Sequence, residues 1–241
     1  MQTVSLFIPC LVDLFLPRIG EATIKLLRHL GLSPVYHETQ TCCGQPAIST
    51  GRTSQAVRAA RHFIDVFKND EIIVCPSGSC VYTVKYEYPE LLKNDPILCR
   101  QAAEIGKRTF ELSQFMVDVL GVNTTGASFH CQAVFHESCK NLRRLGISEQ
   151  PKKLIENVSG TMLLPLKEAD VCCGFGGAFS VQFPEISEAI VEQKVRHFID
   201  SEADVLILSE PGCLLNLDGY LKLKHPDKKA MHLAEVLCRT G

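Results

Sequence analysis

The chain has 241 residues, 46% of them hydrophobic and 22% charged, with a formal net charge of −2. These values suit one large packed domain or two small ones, argue against disorder, and leave no electrostatic footprint for nucleic acid. The apolar opening "MQTVSLFIPCLVDLFLPRIG" lacks a basic start, is broken by Pro9 and Pro17, and contains Asp13. It predicts neither a signal peptide nor a membrane span, so the chain reads as cytoplasmic, touching an inner membrane only through partners.

In chain order, "TVSLFIP" is a short apolar run that predicts a buried strand leading to Cys10. A helix opened by Pro17 follows, with Ile19, Ala22, Leu26 and Leu30 on one face and Gly31 as its stop. Beyond a Cys-Cys-Gly turn, Ala56, Ala60, Phe63, Ile64 and Phe67 fall at helical spacing, and "EIIVCP" predicts a second buried strand. The spacer from about 81 to 128 reads as helical, with "ILCRQAAEIGKRTFELSQFMVDVL" as its best segment. The order then recurs: strand "AVFHES", a helix through Leu154, Ile155 and Val158, strand "TMLLPL", a helix through Val191, Val195 and Phe198, and strand "VLILSE". Strands alternating with helices predict an α/β protein with mainly parallel sheets.

Twelve cysteines are unusual for such a chain. In a reducing compartment that number indicates metal binding or redox chemistry before disulfide stapling. Their order repeats. Cys10 is followed after 31 residues by Cys42-Cys43-Gly44, and after 35 more by Cys80. Cys139 is followed after 32 residues by Cys172-Cys173-Gly174, and after 38 more by Cys213. "RHFID" occurs in both halves, at 61–65 and 196–200, "SLFIPC" parallels "AVFHESC", and "EIIVCPSGSC" parallels "DVLILSEPGC". The chain is therefore an internal duplication of two tandem, pseudo-symmetric lobes. Residues 1–128 hold the first repeat and its spacer, and 129–241 the second.

The cysteines end strands, lie just beyond them, or sit in turns leading to helices, and open α/β sheets gather ligands at the carboxyl ends of their strands. Four thiols per half could thus meet although distant in sequence. Four thiolates suit an iron–sulfur cluster or a structural zinc. No Cys-x2-Cys pair of the zinc-ribbon kind is present. Adjacent side chains diverge, so Cys42 and Cys43, or Cys172 and Cys173, fit two irons of one cluster better than one tetrahedral ion. The glycine that follows lets backbone N–H groups approach the sulfurs, a lever on cluster potential.

This doubled Cys … Cys-Cys-Gly … Cys pattern, with the phrases "CPSGSC", "FHESCK" and "CCGFGGAF", resembles the cysteine-rich (CCG) domain iron–sulfur family. That family includes a subunit of heterodisulfide reductase and the iron–sulfur subunit of glycolate oxidase. The resemblance spans essentially the whole chain. It implies an electron-transfer subunit with one or two [4Fe–4S] clusters, bound by Cys10, Cys42, Cys43 and Cys80 and by Cys139, Cys172, Cys173 and Cys213. It further implies partner iron–sulfur subunits in a complex that oxidises lactate or a related 2-hydroxy acid such as glycolate. The fullest family pattern ends each repeat in Cys-x2-Cys, whose extra thiolate serves a non-cubane cluster. Here Ser77 and Glu210 occupy those places, so cubane and non-cubane forms both stay open, with Cys75 as a substitute ligand in the first half and zinc as a substitute metal.

His136 stands three residues before Cys139, where the first half has Phe7. It is a candidate for ligation, for a hydrogen bond to a cluster sulfur, or for proton transfer. With Glu210 it makes the second half the expected place for a mixed donor set. Cys99, Cys131 and Cys238 have no repeat counterpart and read as buried thiols. Ser138 has no marked base or acid partner, and "GFGG" lacks the spacing of a dinucleotide loop. Without a flavin or nicotinamide motif the chain has no visible hydride acceptor, so it reads as non-catalytic by itself. Two other roles remain: a thiol–disulfide catalyst of the heterodisulfide reductase type, and a zinc-stabilised scaffold.

Overall fold

A computed structural model describes residues 2–239. It divides into two compact units, one up to Phe115 and one from Met116 onward. In the first unit the order is β1 (Thr3–Leu6), α1 (Cys10–Phe15), α2 (Pro17–His29), β2 (Ser33–Tyr36), α3 (Gln45–Ser49), α4 (Thr53–Phe67), β3 (Ile73–Cys75) and α5 (Gly78–Tyr82). A π-helical turn (Thr83–Glu87), α6 (Tyr88–Leu91), α7 (Pro96–Lys107), β4 (Thr109–Glu111) and α8 (Leu112–Gln114) complete it. The second unit contains β5 (Ser128–His136), α9 (Glu149–Glu156), β6 (Ser159–Leu164), α10 (Ala178–Gln182), α11 (Pro184–Asp200), β7 (Val205–Leu208), α12 (Pro211–Lys224), β8 (Lys229–His232) and α13 (Leu233–Leu237).

Each unit is built on one four-stranded sheet, ordered β2-β1-β3-β4 in the first and β6-β5-β7-β8 in the second. Every strand pairing in both sheets is parallel. The fold is therefore the expected duplicated α/β arrangement. Central strands β3 and β7 are buried at every position, as the continuous apolar runs predict for strands covered on both faces. Helices α2 and α4 bury most of the predicted stripes, Ile19, Ala22 and Leu26 on one and Ala56, Ala60, Phe63, Ile64 and Phe67 on the other, while Leu30, expected on the first, caps the end of α2 half-buried. The Phe7 ring meets Phe63 edge-on at 4.9 Å and Phe67 at 5.8 Å, an aromatic core beneath the first site.

Three strands escape the hydrophobic pattern. β2 is a partly exposed edge strand that carries Pro34, a residue edge strands tolerate because one N–H side faces outward. β8 is also an edge strand of four residues. β4 interrupts the segment expected to be one helical spacer: α7 ends at Lys107, and Thr109–Glu111 then pairs with β3. Helical periodicity loses there to a ladder that begins with the Ile73 N–H donating to the Arg108 carbonyl at 2.8 Å. Val158, expected in a helix, lies beyond the end of α9. Among the described residues no helix is long and apolar enough to cross a membrane.

Both sheets reverse direction of growth at one place, between β1 and β3 and between β5 and β7. Connections leave to opposite sides at such a switch point and open a crevice beyond the strand ends. Both cysteine sets surround these crevices.

Candidate metal centres

In the first unit, Cys10 opens α1 just after β1, and Cys80 lies in α5 just after β3. Cys42 and Cys43 arrive from the loop before α3. The structure brings all four together. The Cys10 thiol donates to Cys42 Sγ at 3.4 Å, and the Cys43 thiol donates to Cys80 Sγ at 3.3 Å. Cys42 also interacts with Cys43 through its side chain, so the neighbouring thiols diverge less than adjacency alone suggests.

This network separates thiols from thiolates. The hydrogen bond from Cys10, seconded by Cys43, draws the Cys42 pKa down to about 3. Cys10 rises because it is the donor to Cys42 and is partly desolvated. Cys43 is pushed well up by its bonds to Cys42 and Cys80 and by burial. Cys80 falls well below the ordinary thiol range, held by Cys43, then Cys75 and Ser77. Ser77 and Cys75 therefore both touch the last thiolate, and Cys75 Sγ also donates to the Ser77 carbonyl at 3.6 Å.

The second unit repeats this plan with different neighbours. Cys139 follows β5, Cys172 and Cys173 lie in the loop before α10, and Cys213 sits in the first turn of α12 after β7. Cys139 donates to Cys172, lowering the Cys172 pKa to about 2 while its own is pushed up. Cys173 is raised by Cys172, by Cys213 and by burial, and it donates to Cys213 Sγ at 2.7 Å. The negative charge of Glu210 acts on Cys139 and raises it further. Of each set of four, two cysteines are buried (Cys43 and Cys80, Cys173 and Cys213) and two lie nearer the surface, and Cys75 is buried as well.

The turns are built alike. Gly44 and Gly174 have φ of 82° and 81°, and each donates its N–H at 3.4 Å to the sulfur two residues back, Cys42 or Cys172. A side chain is excluded at both: a Cβ would stand 2.9 Å from Ala59 Cβ or 2.8 Å from the Ser187 carbonyl oxygen. A side chain also clamps the carbonyl of each second cysteine. The Tyr88 hydroxyl donates to the Cys43 carbonyl at 2.7 Å, and Asn216 Nδ2 donates to that of Cys173 at 2.9 Å.

The sequence profile of the Cysteine-rich domain (CCG) matches residues 4–85 and 133–218, the two segments that build these sites. The chain belongs to this family. It is 44% identical over 97% of its length, and 98% of theirs, to proteins named Lactate utilization protein A from Geobacillus kaustophilus and Bacillus subtilis. A hypothetical protein from Helicobacter pylori of known structure superposes on the whole chain with a TM-score of 0.66 at 15% identity, which is a likeness of fold. The chain spans about half, 49%, of that protein.

As a CCG-family chain, it carries around its cysteines several residues that spacing arguments missed. Lys194 is buried in α11, and its ammonium donates to the Glu168 carbonyl. A signal for it existed: it falls on the helix face of Val191, Val195 and Phe198, where a charge is out of place. Tyr88 and Asn216 gave no such signal. Cys99, Cys131 and Cys238 stand outside both thiol networks, with Cys99 donating to the Pro89 carbonyl at 3.4 Å, Cys131 beside Thr161 at 4.0 Å, and Cys238 donating to the Glu235 carbonyl at 3.6 Å. Clustered thiols with stabilised thiolates suit metal or iron–sulfur binding, because the thiolate is the ligand form.

Proposed function

We propose that the chain is an iron–sulfur electron carrier in which Cys10, Cys42, Cys43 and Cys80 hold one cluster and Cys139, Cys172, Cys173 and Cys213 hold another. The observation that carries this reading is the paired convergence: in each unit four thiols, distant in sequence, meet at a sheet switch point with thiolate character already developed. An iron–sulfur cluster bound there would take up and release single electrons. The surrounding protein sets the ligand charge, offers the Gly44 and Gly174 N–H groups to sulfur, and buries the inner thiols away from water.

The relatives' name points to lactate use, and we assign this chain to the oxidation of lactate or a related 2-hydroxy acid, as a subunit and not as the dehydrogenase. A partner that supplies electrons must come close to the more exposed sulfurs. Leu14 and Phe15, at the far end of the short helix that Cys10 opens, are 69% and 63% exposed, and Val181 and Ile186, in the helices after Cys173, are 81% and 54% exposed. Such exposed apolar side chains on the elements that carry or follow the ligands favour docking of partner iron–sulfur subunits.

The test combines the chain with partner proteins encoded beside it and measures lactate-dependent dye reduction under anaerobic conditions. The complex should reduce dye, the isolated chain should not, and Cys43→Ser with Cys173→Ser should abolish the reaction. Lactate oxidation by the chain alone, or full activity of the doubly substituted complex, would overturn the carrier reading.

A further inference from the structure

The second unit contains one buried group that the thiol network does not use. His136 is the last residue of β5, held in register opposite Leu208 of β7, so its position is fixed by the ladder and not by a loop. It is 1% exposed, and neither ring nitrogen makes a well-formed hydrogen bond, the backbone of Ala169 being in loose hydrogen-bonding contact with the ring. A neutral imidazole carries one N–H and one lone pair; the Ala169 backbone can take the first, and leaving the second unsatisfied in the interior is costly. A fully buried acceptor without a donor calls for an explanation, and an ion is one of the few available.

The neighbours of the ring supply it. A ring nitrogen of His136 and the sulfurs of Cys173 and Cys213 all lie within 4.8 Å of one another. Ligand atoms around one tetrahedral ion stand about 3.4–3.8 Å apart, from metal–sulfur and metal–nitrogen distances of about 2.3 and 2.0 Å. The two sulfurs, 2.7 Å apart, would separate and the ring nitrogen would move in, through small rotations about side-chain bonds. The ring's other nitrogen would be left near the backbone of Ala169, which already acts on the imidazole, the usual arrangement for a metal-bound histidine. Facing the ring are the Lys194 ammonium and the Cys172 thiolate, which act on it in opposite senses. In the first unit the corresponding residue is Phe7, packed on Phe63 and Phe67, where no nitrogen is on offer.

We propose that His136 is a nitrogen ligand of the metal group bound by the second unit, joining Cys173 and Cys213, so that this centre is mixed nitrogen–sulfur while the first is all sulfur. The inference rests on the cysteine sets being metal centres, and it assigns the donor set of one of them. It does not depend on whether the group is an iron–sulfur cluster or a single ion.

The experiment uses the full chain, prepared without oxygen with 14N- or 15N-histidine, loaded with iron and sulfide and reduced by one electron per cluster with dithionite, and in parallel loaded with Co2+. Pulsed electron paramagnetic resonance reads nitrogen coupling to the electron spin. A strong coupling is expected that changes with the histidine isotope, survives Cys43→Ser, and is lost in His136→Ala and in His136→Gln, the latter keeping volume and polarity. Absence of histidine coupling in the unaltered chain with either metal, or its persistence in both His136 variants, would overturn the proposal. Co2+ binding with histidine coupling, but no uptake of iron and sulfide, would support the ligand and sink the iron–sulfur reading. Iron and sulfide bound without histidine coupling would do the reverse.

Discussion

The two cysteine crevices share a sheet order, a left-handed glycine after each cysteine pair, and an N–H to sulfur contact of 3.4 Å. They differ in what stands around the sulfur. Phe7, Ala59 and Ser77 in the first unit correspond to His136, Lys194 and Glu210 in the second, at the same offsets from Cys10, Arg61 and Cys80 or from Cys139, Arg196 and Cys213. The duplication has kept the thiols and the backbone that presents them while exchanging two hydrocarbon side chains and a hydroxyl for ionisable groups. Charge and hydrogen bonding near sulfur tune a cluster's potential, so two sites of equal ligand number need not be equal electron acceptors.

The glycine turns offer the largest structural test of the shared plan. Gly174→Ala forces a Cβ against a backbone carbonyl at 2.8 Å and retains a positive φ, whereas Gly44→Ala meets a methyl at 2.9 Å. A non-glycine residue at positive φ costs about 1–2 kcal/mol and overpacking adds about 1–3. Urea unfolding should therefore show a loss of about 4 kcal/mol for Gly174→Ala and about 3 for Gly44→Ala. Losses below about 1 kcal/mol at both would mean that the turns do not need glycine.

A smaller effect separates the sheet ends. Glu111 closes β4 opposite Cys75, as His232 closes β8 opposite Leu208, and each accepts backbone N–H groups at the start of the next helix. Burial raises the Glu111 pKa from 4.5 to about 7 against the pull of Ser113 and Gln114. A folded-state pKa above the unfolded one favours the folded state at low pH. The contribution is whole below about pH 4.5, declines as pH rises, and is lost above about 7. The difference corresponds to at most about 3 kcal/mol. Glu111→Gln should thus stabilise the metal-free chain by about 2 kcal/mol at pH 8, allowing for the weaker hydrogen bonds of an amide, and by nearly nothing at pH 4. Denaturation midpoints at the two pH values measure this, and a destabilised variant at pH 8 would reverse the sign.

The least effect is kinetic. Cys173 and Cys213 sulfurs stand 2.7 Å apart and those of Cys43 and Cys80 3.3 Å. In the metal-free chain, diamide should oxidise the second pair to a disulfide a few-fold faster than the first, each thiol pair giving two electrons to the reagent and losing two protons. Peptide mapping of the cross-links over time gives both rates, and faster closure of Cys43–Cys80 would contradict the ordering.

Much of this comparison was legible in the residues. β1, β3, β5 and β7 announce themselves as apolar runs because they are central strands, and the doubled cysteine pattern maps onto the ends of those strands. The edge strands β2 and β8 were not legible, since four residues are too few to establish a period, and β4 hid inside a helix-like run that pairing with β3 overrides. His136 stood out by its place before Cys139, but its burial within reach of Cys173 and Cys213 belongs to the packed interior. Lys194 could have been found as a charge on an apolar helix face. Tyr88 reaches the Cys43 carbonyl only through the fold.

The central claim is that each unit holds its own iron–sulfur cluster, and metal counting tests it most directly. Iron and acid-labile sulfide are measured on the chain prepared anaerobically, on Cys43→Ser, on Cys173→Ser, and on Cys99→Ser as a control outside the networks. The account predicts equal iron and sulfide, about half of each lost in either site variant, and no loss in the control. Zinc without sulfide, or complete loss from either single substitution, would contradict it.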